Sequence, residues 1–374
     1  MKQSVIAQIV QQLAPGGIET MVLDLQQLSD NPERVHIISL EGTTDSLKEN
    51  WPRLHNITRL HALNKPPGIQ WSTVRQLTDL LRTLKVNVVH THHVGPMLYG
   101  GLAAKIAGCG HVHTEHDAWH LSNLKRRALA GTFFHLLRPI VIADAQLVSQ
   151  SIQRYIPMFS TEVIMNGISV ERFCLGDQSL ARQHLGLPLN VPFIGCAARL
   201  TAVKSHDVLL SAFSRLSADT HLALAGSGEL ESTLRKQAES LNVSDRVHFL
   251  GVVEDMPSFF QAIDVFCLAS QREGLPLSPL EAQACGRNVV LTDVGGCSEA
   301  VAPDYGLLVP AGDIDSLSTA LQRQLDEGCS DQARHSARQF VQKHGDLNRM
   351  ISQYQQFYLQ SLGKQGLAPE GYDV

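Results

Sequence analysis

The segment Ser270-Gln271-Arg272-Glu273-Gly274-Leu275-Pro276-Leu277-Ser278-Pro279-Leu280-Glu281-Ala282 carries two carboxylates, Glu273 and Glu281, flanking a turn. It follows a short apolar run at 265–268 and leads into a helical pattern. Ser278 is a favoured N-cap and Pro279 suits the first helical position. The backbone amides of Gly274, Leu275, Leu277 and the helix's first turn could hold a phosphate. A second reading needs no ligand: Ser278-x-x-Glu281 is a capping box, with Glu281 reaching back to the Ser278 amide. The residues alone leave both readings open.

Histidines form the other concentration of chemistry, with His90, His92, His93, His111, His113, His116 and His120 close in sequence. His116 and His120 would share a face if a helix ran through both, which raises a metal site. The alternation of His111 and His113 fits a strand better, and no carboxylate or cysteine completes a ligand set, so no metal is expected. Asp313-Ile314-Asp315 spells the Asp-x-Asp pattern of metal-dependent transferases. It follows Gly312 and precedes a helical pattern, which reads as helix capping. Gly226-Ser227-Gly228 lacks the third glycine of a dinucleotide fingerprint and sits mid-domain, against a nicotinamide dehydrogenase.

These residues need elements to hold them. Short β-branched runs alternate with longer amphipathic ones, the rhythm of parallel βαβ units. The strand-like runs are 5–10, 35–40, 86–90, 111–113, 140–143 and 163–165, then 193–197, 221–225, 247–250, 265–268, 289–291 and 307–309. Helical patterns such as 18–28, 72–84 and 207–216 lie between them. The chain of 374 residues is long for one core. Two doubly wound domains are expected, 1–168 and 169–345, with the break in 166–192. A helix from 346 to about 362 has Met350, Ile351, Tyr354, Phe357 and Tyr358 at helical spacing, and 363–374 reads as a loose tail. Open parallel sheets bind ligands beyond the carboxyl ends of their strands, so chemistry belongs in the loops after strands.

With those positions fixed, the frame Glu273 to Glu281 resembles the signature of the retaining GT-B glycosyltransferases, specifically glycosyltransferase family 4. Other loops agree in order: Gly16-Gly17-Ile18-Glu19, His116-Asp117, Asn166-Gly167-Ile168, Arg199 with Lys204, Gly226-Ser227-Gly228 and Gly295-Gly296-Cys297-Ser298-Glu299. The resemblance spans Gly16 to Pro310. It implies two Rossmann-like domains with a cleft between them, and a C-terminal helix crossing back onto the first. It also implies roles. Arg199 and Lys204 match the diphosphate cations, Glu281 the ribose partner and Glu273 the partner of the transferred sugar's hydroxyls. Gly16, Gly17 and Gly226 would admit the donor, and His116 faces the donor sugar. Ala198 and Ser205 depart from the family, which has glycine at both positions, and Asn288 stands where proline is common.

The implied reaction moves a hexose-type sugar from a nucleotide-diphosphate sugar to a hydroxyl of a glycan or lipid-linked acceptor, without cofactor or metal, as in surface polysaccharide or glycoconjugate synthesis. The rivals are a sugar-nucleotide epimerase and a catalytically silent sugar-nucleotide-binding subunit. A net charge of −5 argues against nucleic acid as partner. The seven cysteines form no Cys-x-x-Cys pair and read as core residues in a reducing compartment. Neither a signal peptide nor a spanning helix is legible, so a cytoplasmic protein is expected. Residues 124–129 and 133–138 mix basic and apolar side chains. They read either as peripheral contact with anionic lipid at the inner membrane face or as a helix with a solvated basic face.

Overall fold

The computed structural model describes residues 4–303 and 305–363; the expected loose tail lies, from 364 on, outside the described residues. Two compact units divide the chain: Met1–Met165 with Asn348–Val374, and Asn166–Leu347. Both are built from parallel strands, which need a crossover between neighbours and are buried on both faces.

Unit 1 contains β1 (Ile6–Val10), β2 (Val35–Ser39), β3 (Leu60–Ala62), β4 (Val88–His92), β5 (Gly110–Glu115), β6 (Ile140–Ala143) and β7 (Glu162–Val163). They lie in the order β3-β2-β1-β4-β5-β6-β7, so the winding reverses between β1 and β4. Every residue of β2, β4 and β5 is buried. On one face, helices Trp71–Thr83 and Val94–Ala107 pack Leu77, Leu81, Ala103 and Ala104 against Ile9, Ile38 and Val89. The C-terminal helix Leu347–Gly363 buries Met350, Ile351, Tyr354 and Tyr358 of the stripe read from the sequence, while Phe357 is only half-buried.

Unit 2 contains β8 (Phe193–Ala197), β9 (His221–Ala225), β10 (Val247–Gly251), β11 (Val265–Leu268), β12 (Asn288–Thr292) and β13 (Gly306–Val309). Their order is β10-β9-β8-β11-β12-β13, with the reversal between β8 and β11. Asp313 caps helix Ile314–Glu327 by accepting from the Ser316 amide at 3.0 Å, so the Asp-x-Asp pattern is a cap.

Several expectations need correction. The strand expected at 86–90 is Val88–His92, because Lys85 turns left-handed (φ 55°) and Val86 closes the preceding helix by donating to Leu81. His92 is therefore a buried strand residue. β3 was missed, being three half-buried residues with no run of its own. No helix runs from His116 to His120: a 3-10 turn begins only at Trp119. Ser278 is not the cap but the first helical residue, with Leu277 in the cap position and making no side-chain cap.

Unit 2 begins and ends at one place. Ile168 bridges Asp346, its amide donates to Gly345 at 2.8 Å, and the Leu347 amide donates back to Ile168 at 3.0 Å. Gly167 makes this close approach feasible, since a β-carbon there would sit 2.7 Å from the Asp346 carbonyl oxygen. That neighbour is backbone and cannot swing aside. Gly167→Ala should therefore cost about 1–3 kcal/mol, the range for overpacking, read as a lower urea midpoint at unchanged slope. An unchanged midpoint would show that the two strands of this bridge can part without loss.

Candidate functional site

The sequence-predicted residues fall on both units, each group at the carboxyl ends of strands near a reversal, where open sheets form their binding crevices.

In unit 2 the loops after β8 and β11 meet because these two strands pair at the reversal. The chain leaves β8 through the exposed Arg199, makes a 3-10 turn at Ala202–Lys204, and enters helix His206–Phe213. Ser205 ends the turn left-handed at φ 48°, the conformation glycine takes most easily. The loop after β11 lies against it, with the Gln271 amide donating to Val203 at 2.8 Å. Lys204 Nζ donates to Glu273 Oε1 at 2.6 Å, joining the two loops through opposite charges.

Glu273 is braced by a residue that sequence reading missed. Ser270, fully buried, donates its hydroxyl to Glu273 Oε1 at 2.5 Å, and its carbonyl accepts from Thr292 Oγ1 at 2.6 Å. Asn166 Nδ2 donates to the Leu275 carbonyl at 3.4 Å, and the Gly296 amide to the Gly274 carbonyl at 2.8 Å. Backbone packing sets the neighbouring glycines. A β-carbon on Gly226 would meet the Ala198 carbonyl oxygen at 2.1 Å, and one on Gly295 the Glu273 carbonyl oxygen at 1.8 Å. Leu275 is buried, Leu277 half-buried at the head of the helix, and Glu281 sits on that helix's first turn.

In unit 1, Gly16 and Gly17 open helix Gly17–Gln27 after β1, with Gly16 extended and Gly17 exposed. His116 follows β5 and is buried in a chain of polar side chains. Its Nδ1 lies 3.4 Å from Asp144 Oδ2, and its Nε2 is 3.0 Å from His92 Nδ1. His92 Nε2 is 2.9 Å from Gln8 Oε1, and Gln8 Nε2 donates to Tyr358 Oη at 3.0 Å. A neutral imidazole donates at one nitrogen and accepts at the other. With Gln8 so oriented, His92 donates at Nε2 and accepts the Nε2 proton of His116 at Nδ1. The tautomer of His116 is thus coupled through His92 to the orientation of the Gln8 amide. Gln8 and Asp144 carry no sequence signal, and nothing in the sequence joins His92 or Tyr358 to His116, since each lies in a different part of the fold.

Burial holds these rings uncharged. Desolvation, then neighbouring imidazoles, push His90 and His92 well below the usual value; burial first brings His93 to about 4, His111 to about 3 and His116 to about 4. His120 differs: burial lowers it, but the Asp117 hydrogen bond and the Glu115 charge raise it further. Among the described residues no group of His, Cys, Asp and Glu is arranged to hold a metal ion.

Depressed histidine pKa values mean that the unfolded chain binds more protons than the native one between about pH 4 and 6.5. Their contribution to stability is complete above 6.5 and declines as pH falls, by up to about 1.4 kcal/mol per histidine per pH unit. The three tryptophans, Trp51, Trp71 and Trp119, all lie in unit 1, so their fluorescence follows that unit alone. The urea midpoint should be clearly lower at pH 5 than at pH 7.5; equal midpoints would mean that these histidines are not held neutral.

Comparison with known proteins agrees with this geometry. The family model described as Glycosyltransferase Family 4 matches residues 15–172, and that described as Glycosyl transferases group 1 matches 177–344. A GDP-mannose-dependent monoacylated alpha-(1-6)-phosphatidylinositol monomannoside mannosyltransferase from Corynebacterium glutamicum is 29% identical over 83% of this chain and 86% of its own. A UDP-Gal:alpha-D-GlcNAc-diphosphoundecaprenol alpha-1,3-galactosyltransferase from Escherichia coli is 29% identical over 67% of this chain and 69% of its own. Among solved structures, Anabaena Alr3699/HepE in complex with UDP and glucose superposes with a TM-score of 0.80 at 21% identity, covering 95% of this chain and 99% of that one. Sucrose-phosphate synthase from Thermosynechococcus elongatus gives 0.79 at 20% identity, over 97% and 100%. These neighbours share the GT-B fold. With both halves of the chain matched in order, this protein belongs to glycosyltransferase family 4 and is a glycosyltransferase of the hexosyl-transferring class.

Proposed function

We propose that the chain transfers a hexose-type sugar from a nucleoside-diphosphate sugar to a hydroxyl of a glycan or lipid-linked acceptor, with retention at the anomeric carbon, in surface polysaccharide or glycoconjugate synthesis. The observation that carries this reading is the Lys204–Glu273 contact, braced by Ser270, at the β8–β11 reversal. Departure of the diphosphate develops negative charge, which fixed cations stabilise. Arg199 and Lys204 take that role, with the amides of Gly274, Leu275 and Leu277, while Gly226 lets the backbone lie close. Glu273 accepts from hydroxyls of the transferred sugar and Glu281 from the ribose, since buried hydroxyl recognition by carboxylates discriminates strongly.

From unit 1 we assign His116 to the transferred sugar, and Gly16 and Gly17 to the diphosphate or acceptor. A neutral His116 adds no charge beside an anomeric carbon that becomes positive as the glycosidic bond breaks. Side-chain cations then serve where other transferases use a metal, and Asp313 is already engaged as a cap. The named relatives support the donor class through GDP-mannose and UDP-Gal. They support a lipid-linked acceptor through phosphatidylinositol and diphosphoundecaprenol.

A cytoplasmic location with peripheral membrane contact fits this reading. All seven cysteines are free, as in a reducing compartment, and no helix among the described residues is long and apolar enough to cross a membrane. Helix Leu124–Leu137 exposes Leu124 (74%), Leu129 and Leu136 along with Lys125 and Arg126. A solvated basic face would not include three exposed leucines, whereas docking on anionic lipid uses both kinds of residue.

Two experiments test these assignments. If Glu281 binds ribose, Glu281→Ala should weaken donor affinity by at least about tenfold, because a charge-assisted hydrogen bond is worth about 1.5–3 kcal/mol. A 2′-deoxy donor should bind the native protein poorly and the variant little worse; additive losses in the double cycle would leave Glu281 with a purely structural role. For the membrane, Lys125→Glu with Arg126→Glu should abolish cosedimentation with phosphatidylglycerol vesicles, each basic residue contributing about 1 kcal/mol. Undiminished cosedimentation would remove this helix as the docking element.

A further inference from the structure

Unit 2 has a charged cavity at the opposite edge of its sheet from the Lys204–Glu273 pair. Its volume is about 360 Å³, and its charged lining comprises Arg182, Arg287, Arg334 and Asp264. Asp264 and Arg287 directly precede β11 and β12, and Pro192, also in the lining, precedes β8. These are the amino ends of the strands, whereas Ser270 and Glu273 follow the carboxyl end of β11. From Asp264 to Ser270 the extended chain covers about 20 Å at its usual rise of about 3.3 Å per residue.

The charges in this cavity do not balance. Arg182 is engaged at all three nitrogens: Nη2 bonds Asp264 Oδ2 at 2.8 Å, Nε donates to the Ala262 carbonyl at 2.8 Å and Nη1 to the Leu189 carbonyl at 2.6 Å. Asp264 accepts from Arg182, from the Phe193 amide at 2.7 Å and from Gln178 Nε2 at 2.9 Å, and from neither other arginine. Arg287 is 4% exposed and, among the described residues, donates only to the neutral Gln261 carbonyl, at 2.8 Å, with its Nε buried and unpartnered. Among the described residues the Arg334 Nε is likewise buried without a partner, and its one ion pair is with Asp331, 4.0 Å from Nη1 and itself 92% exposed. The Cys329 thiol in the lining hydrogen-bonds the Arg334 side chain but supplies no counter-charge, since burial raises its pKa by more than the Arg334 charge and hydrogen bond lower it. Burial and then the charge of Arg334 depress Arg287 itself.

We propose that this cavity is a binding site for a phosphate-bearing anion, held by Arg287 and Arg334 and separate from the donor site. A buried guanidinium without a counter-ion is costly. A phosphate oxygen pair matches the planar fork of arginine and would satisfy both unpartnered Nε–H groups. The volume is at the lower end of the range for small-molecule pockets, which suits a phosphate or a small phosphomonoester.

The test is calorimetric titration of the full chain with inorganic phosphate and with glucose 6-phosphate, at constant ionic strength set with sodium chloride. It is performed on Arg199→Ala with Lys204→Ala, so that the proposed diphosphate cations cannot contribute. Phosphate should still bind, and adding Arg334→Gln should weaken it at least about tenfold, the scale of one charge-assisted contact. Arg334 is the right position because its side chain is 39% exposed and its replacement leaves the buried Arg287 in place. Tighter binding of glucose 6-phosphate identifies a phosphomonoester as the ligand; tighter binding of phosphate identifies the free ion. No binding in the Arg199→Ala, Lys204→Ala background, or equal affinity with and without Arg334→Gln, overturns the proposal.

Discussion

The contact between Lys204 and Glu273 depends on a feature of topology rather than of local chemistry. Sixty-eight residues lie between them in sequence, and they touch because β8 and β11 are neighbours where the winding of the sheet reverses. At any other position in a doubly wound sheet, a crossover helix would cover the gap between the two loops. Here the loops meet directly, and the opposite charges hold a shared geometry. Ser270, Asn166 and the Gly295-Gly296 backbone then fix the carboxylate loop from behind. A preorganised carboxylate and ammonium lose little on meeting a ligand that is anionic at one end and rich in hydroxyls at the other.

Unit 1 solves a different problem with the same architecture. Its reversal lies between β1 and β4, and the residues after β4 and β5 are imidazoles instead of a charged pair. Five histidines this close could not all be charged, and burial settles the matter by keeping the rings neutral. Neutral rings still need partners. The C-terminal helix supplies them, with Tyr358 bonded to His90 and Gln8 and Tyr354 to Thr114. Helix Leu347–Gly363 is thereby tied into the polar chain that includes His116, and is not only a cover over apolar surface.

The two edges of the unit 2 sheet also divide their work. At the carboxyl edge, Lys204 and Glu273 pair with one another and Arg199 is exposed to solvent. At the amino edge, arginines satisfy the carbonyls at the end of helix Met256–Ala262, as cations do at helix C-termini. That capping explains one bond from Arg182 and one from Arg287; it leaves the remaining guanidinium charge without a carboxylate.

The sequence alone determined the pattern of alternating strands and helices, the reading as two Rossmann-like units, and the family. Those are properties of hydrophobic period and of short motifs in register, which are written locally. It also identified Asp313 as a cap, because a cap and its partner lie three residues apart. It did not reveal β3, whose three half-buried residues form no run, nor the true frame of β4, which a left-handed Lys85 shifts by two residues. Nor did it show that Glu273 leans on Ser270 and Lys204, or that His116 joins His92, Gln8 and Tyr358 in one polar chain. Those partners come from strands and helices up to 350 residues apart. Only the order of strands in the folded sheet decides which of them meet, because hydrogen bonds and ion pairs act over a few ångströms and sequence spacing does not encode that distance.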